Sequence, residues 1–191
     1  MKKNKKTRNW QTLSSKTVHK NPWYCVKHEK FSLPSGKKGN YYVIDTGNSS
    51  FVVPVRKDKI IFVKQYRYPL KQRTLELPNG VIGKGNTPPQ TAKNELREET
   101  GYQSGSIKKI GKFSSISGIT SEICFVYLAK DLEFVGQKLE DSEKEAKMKV
   151  VEIGIKEAYK MINDGKIIDG QTIASLSFAR KILLNSSPRN N

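Results

Sequence analysis

The stretch Gly80-Val81-Ile82-Gly83-Lys84-Gly85-Asn86-Thr87-Pro88-Pro89-Gln90-Thr91-Ala92-Lys93-Asn94-Glu95-Leu96-Arg97-Glu98-Glu99-Thr100-Gly101-Tyr102 decides the fold. Thr87 reads as an N-cap, Pro88 occupies the first helical position and Gly101 is a stop, so a helix is predicted over Thr87–Thr100. Glu95, Glu98 and Glu99 then fall at i, i+3 and i+4, within an arc of about 100° on one face. Like charges at that spacing cost roughly a few tenths of a kcal/mol per pair. The neighbours three and four positions away (Thr91, Ala92, Asn94, Leu96, Gly101, Tyr102, Gln103) include no base, in a chain with 35 Lys and Arg. Taken alone, the glutamates allow two readings, a solvated acidic face or a cation from outside. Oxygen-only ligands would select a hard divalent ion, Mg²⁺ or Mn²⁺. Gly80, Gly83 and Gly85 let the backbone of the preceding loop come close to a ligand. A glycine loop, a helix and a carboxylate cluster in that order suit a metal–phosphate complex, in which a metal neutralises charge and activates water.

Around this stretch, Tyr41–Asp45, Phe51–Arg56, Lys59–Tyr66, Ser106–Phe113, Ile123–Leu128 and Val150–Ile155 read as strands. Lys156–Asp164, ended by Gly165, and Thr172–Leu184 read as helices. The polar run 131–147 is expected to be an exposed loop. Trp10, Trp23, Tyr24 and Phe31 make residues 10–33 too aromatic for a linker. The predicted class is α+β, a mixed sheet between helices in an α/β/α sandwich, with an N-terminal β-strand region. The expected division is a basic tail at 1–9, the strand region at 10–48, a main domain at 49–185 and a second tail at 186–191.

The 191 residues carry a formal charge of +17 and are 36% hydrophobic, which excludes global disorder. Residues 1–38 hold eleven Lys/Arg against one acid, Glu29, so the excess is concentrated at the N-terminus. The sign points to anionic partners: nucleic acid, nucleotides, phosphates or an acidic membrane surface. No apolar run approaches the ~20 residues that span a bilayer. The basic start lacks an apolar segment behind it, so no secretory signal is read there. Two cysteines, Cys25 and Cys124, are too few for a disulfide scaffold. A cytoplasmic protein is expected.

The 80–102 stretch resembles the signature of the Nudix hydrolase family: Gly, five residues, Glu, seven residues, then Arg-Glu-apolar-x-Glu-Glu-x-Gly-apolar. The spacing from Gly80 to Tyr102 fits without a gap, with two departures: Asn86 stands for the Glu and Asn94 for the Arg. In the family those two form an ion pair bracing loop against helix. Losing both partners is nearly neutral where losing one strands a charge, and an Asn86–Asn94 hydrogen bond is the expected replacement. Gln65-Tyr66-Arg67-Tyr68-Pro69, Glu76-Leu77-Pro78-Asn79-Gly80, Gly118-Ile119-Thr120-Ser121-Glu122 and Gly165–Thr172 resemble the ADP-ribose pyrophosphatase branch, which also hydrolyses nucleoside diphosphate sugars.

The resemblance implies hydrolysis of a nucleotide-sugar diphosphate to nucleoside monophosphate and sugar phosphate, with Mg²⁺ or Mn²⁺ as cofactor. It implies metal ligation by Glu95, Glu98 and Glu99 with the Asn79 carbonyl, and catalysis by Glu98 and Glu99. The branch also supplies a catalytic Glu from the loop before the last strand. Ala146 falls at that point here, and the neighbouring Glu145 is the expected general base. Substrate contacts are expected from Arg67 as a phosphate clamp, Glu76, Trp23, Tyr41 and Gly118, although the branch's Pro before that glycine is Ser117 here. A homodimer formed through the N-terminal region is implied, with no membrane and no nucleic-acid partner. Two other readings follow from the departures and the charge: a catalytically weakened Nudix module that binds a nucleotide for regulation, and an RNA-processing Nudix enzyme.

Overall fold

Ser49–Val55 is buried on both faces, a run of apolar and small residues that only a central strand accommodates. It belongs to strand β4 (Ser49–Arg56) of a computed structural model, which describes residues 9–139, 141–145 and 147–185. The N-terminal basic run at 1–8 and the tail at 186–191 lie outside the described residues.

The chain divides into two compact units, Met1–Gly47 with Ile116–Glu122, and Asn48–Ser115 with Ile123–Asn191. The first contains a three-stranded antiparallel sheet of β1 (Gln11–Lys20), β2 (Cys25–Ser32) and β3 (Lys38–Asp45). The segment at 116–122 joins it through the Ile44 N–H, which donates to the Ile119 carbonyl at 2.9 Å.

The second unit is built on a seven-stranded mixed sheet. Its main path runs β10 (Lys149–Gly154), β5 (Lys59–Arg67), β4, β9 (Ile123–Phe134), β8 (Tyr102–Ser114). β4 and β9 are parallel, and the other pairs are antiparallel. β4 and β5 pair only at Val55↔Ile60 and Arg56↔Lys59. Beyond that, residue 54 is a proline with no N–H to donate, and the two strands part. The gap is filled by β6 (Gln72–Glu76), paired with β5, and β7 (Asn79–Val81), paired with β4.

Alternation along β4 and β9 sorts the core. Val53, Val55, Val126 and Leu128 face α3 (Ile155–Asn163) and α4 (Gly170–Asn185), packing with Ala158, Tyr159, Leu176, Ala179 and Leu183. Burial pushes the Tyr159 phenol up to about 12 while its hydroxyl donates to the Leu176 carbonyl at 2.9 Å. Val52, Tyr127 and Ala129 face the opposite way, onto Ala92 and Leu96 of α1 (Pro88–Thr100). The result is the expected mixed sheet between helices.

The predicted α1 is present, with Thr87 at the N-cap but without a side-chain capping bond, and with Gly101 left-handed at φ 78°. The segment expected to be an exposed loop at 131–147 is otherwise: β9 runs on to Phe134 and a short helix α2 spans Asp141–Glu145. Polarity there reflects one solvated face of a long edge hairpin, since β8 likewise runs from Tyr102 rather than Ser106. Among the described residues no helix is long and apolar enough to cross a membrane.

Leu96→Ala, at a fully buried site, is expected to cost about 2–5 kcal/mol. Urea denaturation of the two proteins measures it.

Candidate active site

The helix glutamates are not all on a solvated face. Thr91, Ala92, Leu96, Glu99 and Thr100 form the buried side of α1, and Glu99 is only 4% exposed. An ionised carboxylate so placed needs hydrogen-bond donors. Its Oε2 accepts the Asn79 N–H at 3.2 Å. Glu95 lies against the same loop: a Cβ placed on Gly80 would sit 1.9 Å from Glu95 Oε1. Only glycine leaves room for the carboxylate there, which is the physical reason for Gly80. Glu98 is half-buried. Among the described residues no three His, Cys, Asp or Glu side chains form a ready-made metal cage, so the structure does not bring all three glutamates to one point. Two of them converge on Asn79–Gly80. An all-oxygen set gathered around a backbone cradle suits a hard divalent cation.

The loop at 77–80 is held from several directions. β7 pairs with β4, the Val52 N–H donates to the Pro78 carbonyl at 2.9 Å, and the Asn79 amide donates to the Leu77 carbonyl at 2.9 Å. Thr172 of α4, fully buried, accepts the Leu77 N–H on its hydroxyl at 3.0 Å, and its own N–H donates to Asp169 at 2.7 Å. The far end of α1 is tied by the segment that follows β9. The Gln137 amide donates to the Glu99 carbonyl at 2.5 Å, and the Lys138 N–H donates to the Glu98 carbonyl at 3.0 Å. These satisfy carbonyls that a helix C-terminus leaves open. Gln137 belongs to no motif in the sequence, and Thr172, the last residue of the Gly165–Thr172 segment, gives no sign there of its bond to Leu77, because each acts through tertiary contact.

The expected Asn86–Asn94 bond is not formed. Both side chains are exposed, and the Asn86 N–H closes a turn onto the Gly83 carbonyl at 3.0 Å. The start of α1 is tied instead to β4, where the Ser50 hydroxyl donates to the Pro88 carbonyl at 2.8 Å. Two neutral amides in solvent strand no charge, so no brace is required between them.

Arg67 and Glu76 form a bidentate pair, Nε to Oε1 at 2.8 Å and an Nη to Oε2 at 2.5 Å. Glu76 is 3% exposed and also accepts from Gln65 at 3.2 Å and from the Thr74 hydroxyl. Its carboxylate is engaged by these side chains rather than presented to a ligand. The hydrogen bond from Arg67 to Glu76 raises the guanidinium pKa above its usual value, and the charges of Glu99 and Asp169 add to this. Arg67 therefore lies in the electrostatic field of Glu99.

The remaining sequence-predicted residues are distributed as follows. Trp23, Tyr41 and Gly118 belong to the first unit. The Tyr41 hydroxyl donates to the Gly118 carbonyl at 2.6 Å. Trp23 is 79% exposed at the β1–β2 turn, where the Asn21 side chain accepts its N–H at 2.9 Å. The β2–β3 register puts Cys25 opposite Asp45 and Glu29 opposite Tyr41, so Tyr41 lies mid-strand while Trp23 adjoins the Cys25 end of the sheet. Glu145 is exposed at the end of α2. Ala146 lies outside the described residues.

A mixed sheet between helices, with a buried carboxylate of α1 docked on a glycine-containing loop, is an arrangement whose chemistry suits a divalent cation and phosphate groups. Residues 46–169 match the sequence profile of the NUDIX domain, and residues 10–44 match that of the nucleoside diphosphate sugar hydrolase N-terminal domain. The chain belongs to the NUDIX family. It is 32% identical to an ADP-ribose pyrophosphatase of Bacillus subtilis (strain 168), over 88% of this chain and 94% of that protein. It is 29% identical to a GDP-mannose pyrophosphatase of Yersinia enterocolitica, over 89% of this chain and 94% of that protein. A solved structure described as an ADP compounds hydrolase superposes with a TM-score of 0.80 at 19% identity, covering 94% of this chain and 97% of that one, and supports the fold.

Glu76→Gln is expected to destabilise the protein by about 2 kcal/mol, less than for a fully buried pair because the Arg67 side chain is 44% exposed. Thermal denaturation of the variant against Arg67→Gln and the double variant measures the coupling between them.

Proposed function

We propose that this chain is a Nudix pyrophosphohydrolase that splits the diphosphate of ADP-ribose or a related nucleoside diphosphate sugar into nucleoside monophosphate and sugar phosphate. The observation that carries this reading is the buried Glu99 carboxylate on the Asn79 N–H, with Glu95 packed on Gly80. The substrate class follows from the two relatives, whose names pair a nucleotide sugar with pyrophosphatase activity.

Glu95, Glu98, Glu99 and the Asn79 carbonyl would hold Mg²⁺ or Mn²⁺. That ion would supply charge neutralisation on the diphosphate and acidify a water. The protein contributes position and proton transfer. Arg67, pinned by Glu76, is set to pair with phosphate oxygens as a fork of donors. Water attacks one phosphorus, its proton passes to a carboxylate, and the P–O bond to the bridging oxygen breaks, so that oxygen leaves with the other phosphate. Glu145 is the proposed proton acceptor, since α2 carries it just before β10, and Glu98 and Glu99 are proposed to act with it. Trp23, Tyr41 and Gly118 are proposed to meet the nucleoside portion. The exposed Trp10, Leu13, Val18, Trp23 and Tyr42 of the first unit support a homodimer through that sheet. Among the described residues neither cysteine is in a disulfide, which agrees with a reducing compartment such as the cytoplasm.

With Mg²⁺ or Mn²⁺ the purified protein should release monophosphate from ADP-ribose, and EDTA should stop it. Glu99→Gln should lower kcat by about 100-fold or more. Undiminished turnover in that variant rejects the assigned site. Gly80→Ala separates chemistry from folding. The clash falls on the movable end of Glu95, so the melting temperature should hold while turnover drops.

A further inference from the structure

Three cations of the second unit, Lys64, Lys147 and Lys149, make no ion pair among the described residues. With Arg73 they line a cavity of about 200 Å³. The sheet register shows how closely they are forced together. Lys149 of β10 lies directly opposite Lys64 of β5, an arrangement that is destabilising for like charges. Arg73 of β6 is opposite Tyr66, one diagonal step from Lys64. Lys147 stands in a left-handed turn at φ 48°, and Arg73 donates to its carbonyl at 3.2 Å, which ties that turn into the wall of the cavity.

The side of the sheet is equally determined. Ile60 and Phe62 of β5, Leu75 of β6 and Val151 and Ile153 of β10 all pack into the α3–α4 core, so by alternation Lys64, Arg73 and Lys149 lie on that face. Gln65, Arg67, Thr74 and Glu76 interlock on the other face. The cavity is therefore separated by the sheet from the carboxylates of α1.

We propose that this cavity is a second, non-catalytic anion site that binds a phosphate group, either free or as a monoester. Three lysines around one cavity, with Arg73 bonded into its wall, suit the several oxygens of one phosphate dianion, and occupancy would relieve the Lys64–Lys149 repulsion. A concave site of this volume favours a small ligand. A nucleic-acid strand calls instead for a charged groove with aromatic faces for its bases.

The test is thermal denaturation of the full chain in inorganic phosphate, in adenosine 5′-monophosphate, and in chloride of equal ionic strength, without divalent metal. Phosphate should raise Tm by about 2–4 °C. The double variant Lys64→Gln/Lys149→Gln should melt above the wild type in chloride, because the repulsion is gone, and should not respond to phosphate. Lys93→Gln, in α1 on the opposite face of the sheet, should keep the response. Equal responses to phosphate and monophosphate support the free group as ligand, and a larger response to monophosphate supports the ester. A double variant that still responds, or that melts below the wild type in chloride, overturns the proposal. So does a response lost in Lys93→Gln, or a wild type that responds to neither phosphate nor monophosphate.

Discussion

The structure of the second unit depends on the early parting of β4 and β5. Two residue pairs join them, and then Pro54 withholds a donor where a continuing ladder would need one. A gap in the middle of a sheet leaves backbone groups to be satisfied. The 72–81 segment does this by pairing first with β5 and then with β4. The crossing from one to the other is Leu77-Pro78, and Asn79–Gly80 follow at once. The loop that meets Glu95 and Glu99 is thus part of the sheet's hydrogen bonding, and it gains a rigidity that a surface loop would lack.

Charge is sorted by the same scaffold. A chain with a net charge of +17 keeps its carboxylates Glu95, Glu98 and Glu99 on one helix without basic residues at the three- and four-residue spacings. Glu76 and Arg67, one strand layer away, neutralise each other and leave the guanidinium adjacent in field to Glu99. The lysines of β5 and β10 lie on the opposite face of the sheet. A sheet buried at its centre can hold acidic and basic sites apart in this way, because successive residues point to opposite sides.

Legibility followed the range of the interactions. The α1 helix could be read because Thr87, Pro88 and Gly101 act on their own neighbours, and the long apolar runs of β4 and β5 could be read because burial on both faces leaves no polar alternation. Short strands β6 and β7 escaped, since QRTLE and NGV carry no period of their own and are strands only because the gap beside β4 receives them. The end of β9 and the helix α2 escaped because a solvated hairpin and a solvated helix have the same polar composition as a loop. Arg67 and Glu76 were each singled out, but their mutual pairing was not, since nine residues separate them and only the β5–β6 register brings them together.

The sequence by itself determined that three carboxylates share one face of a capped helix behind a glycine loop, because helical geometry and glycine's conformational freedom are local properties. Only the tertiary structure decided that Glu99 is buried and docked on the Asn79 N–H, that Glu76 serves Arg67, and that Asn86 and Asn94 are left in solvent without a bond between them. Those outcomes depend on which strand fills the gap beside β4 and which side of α1 turns inward. That choice is made by the packing of Val52, Ala92 and Leu96 across the sheet, at distances along the chain that no local pattern records.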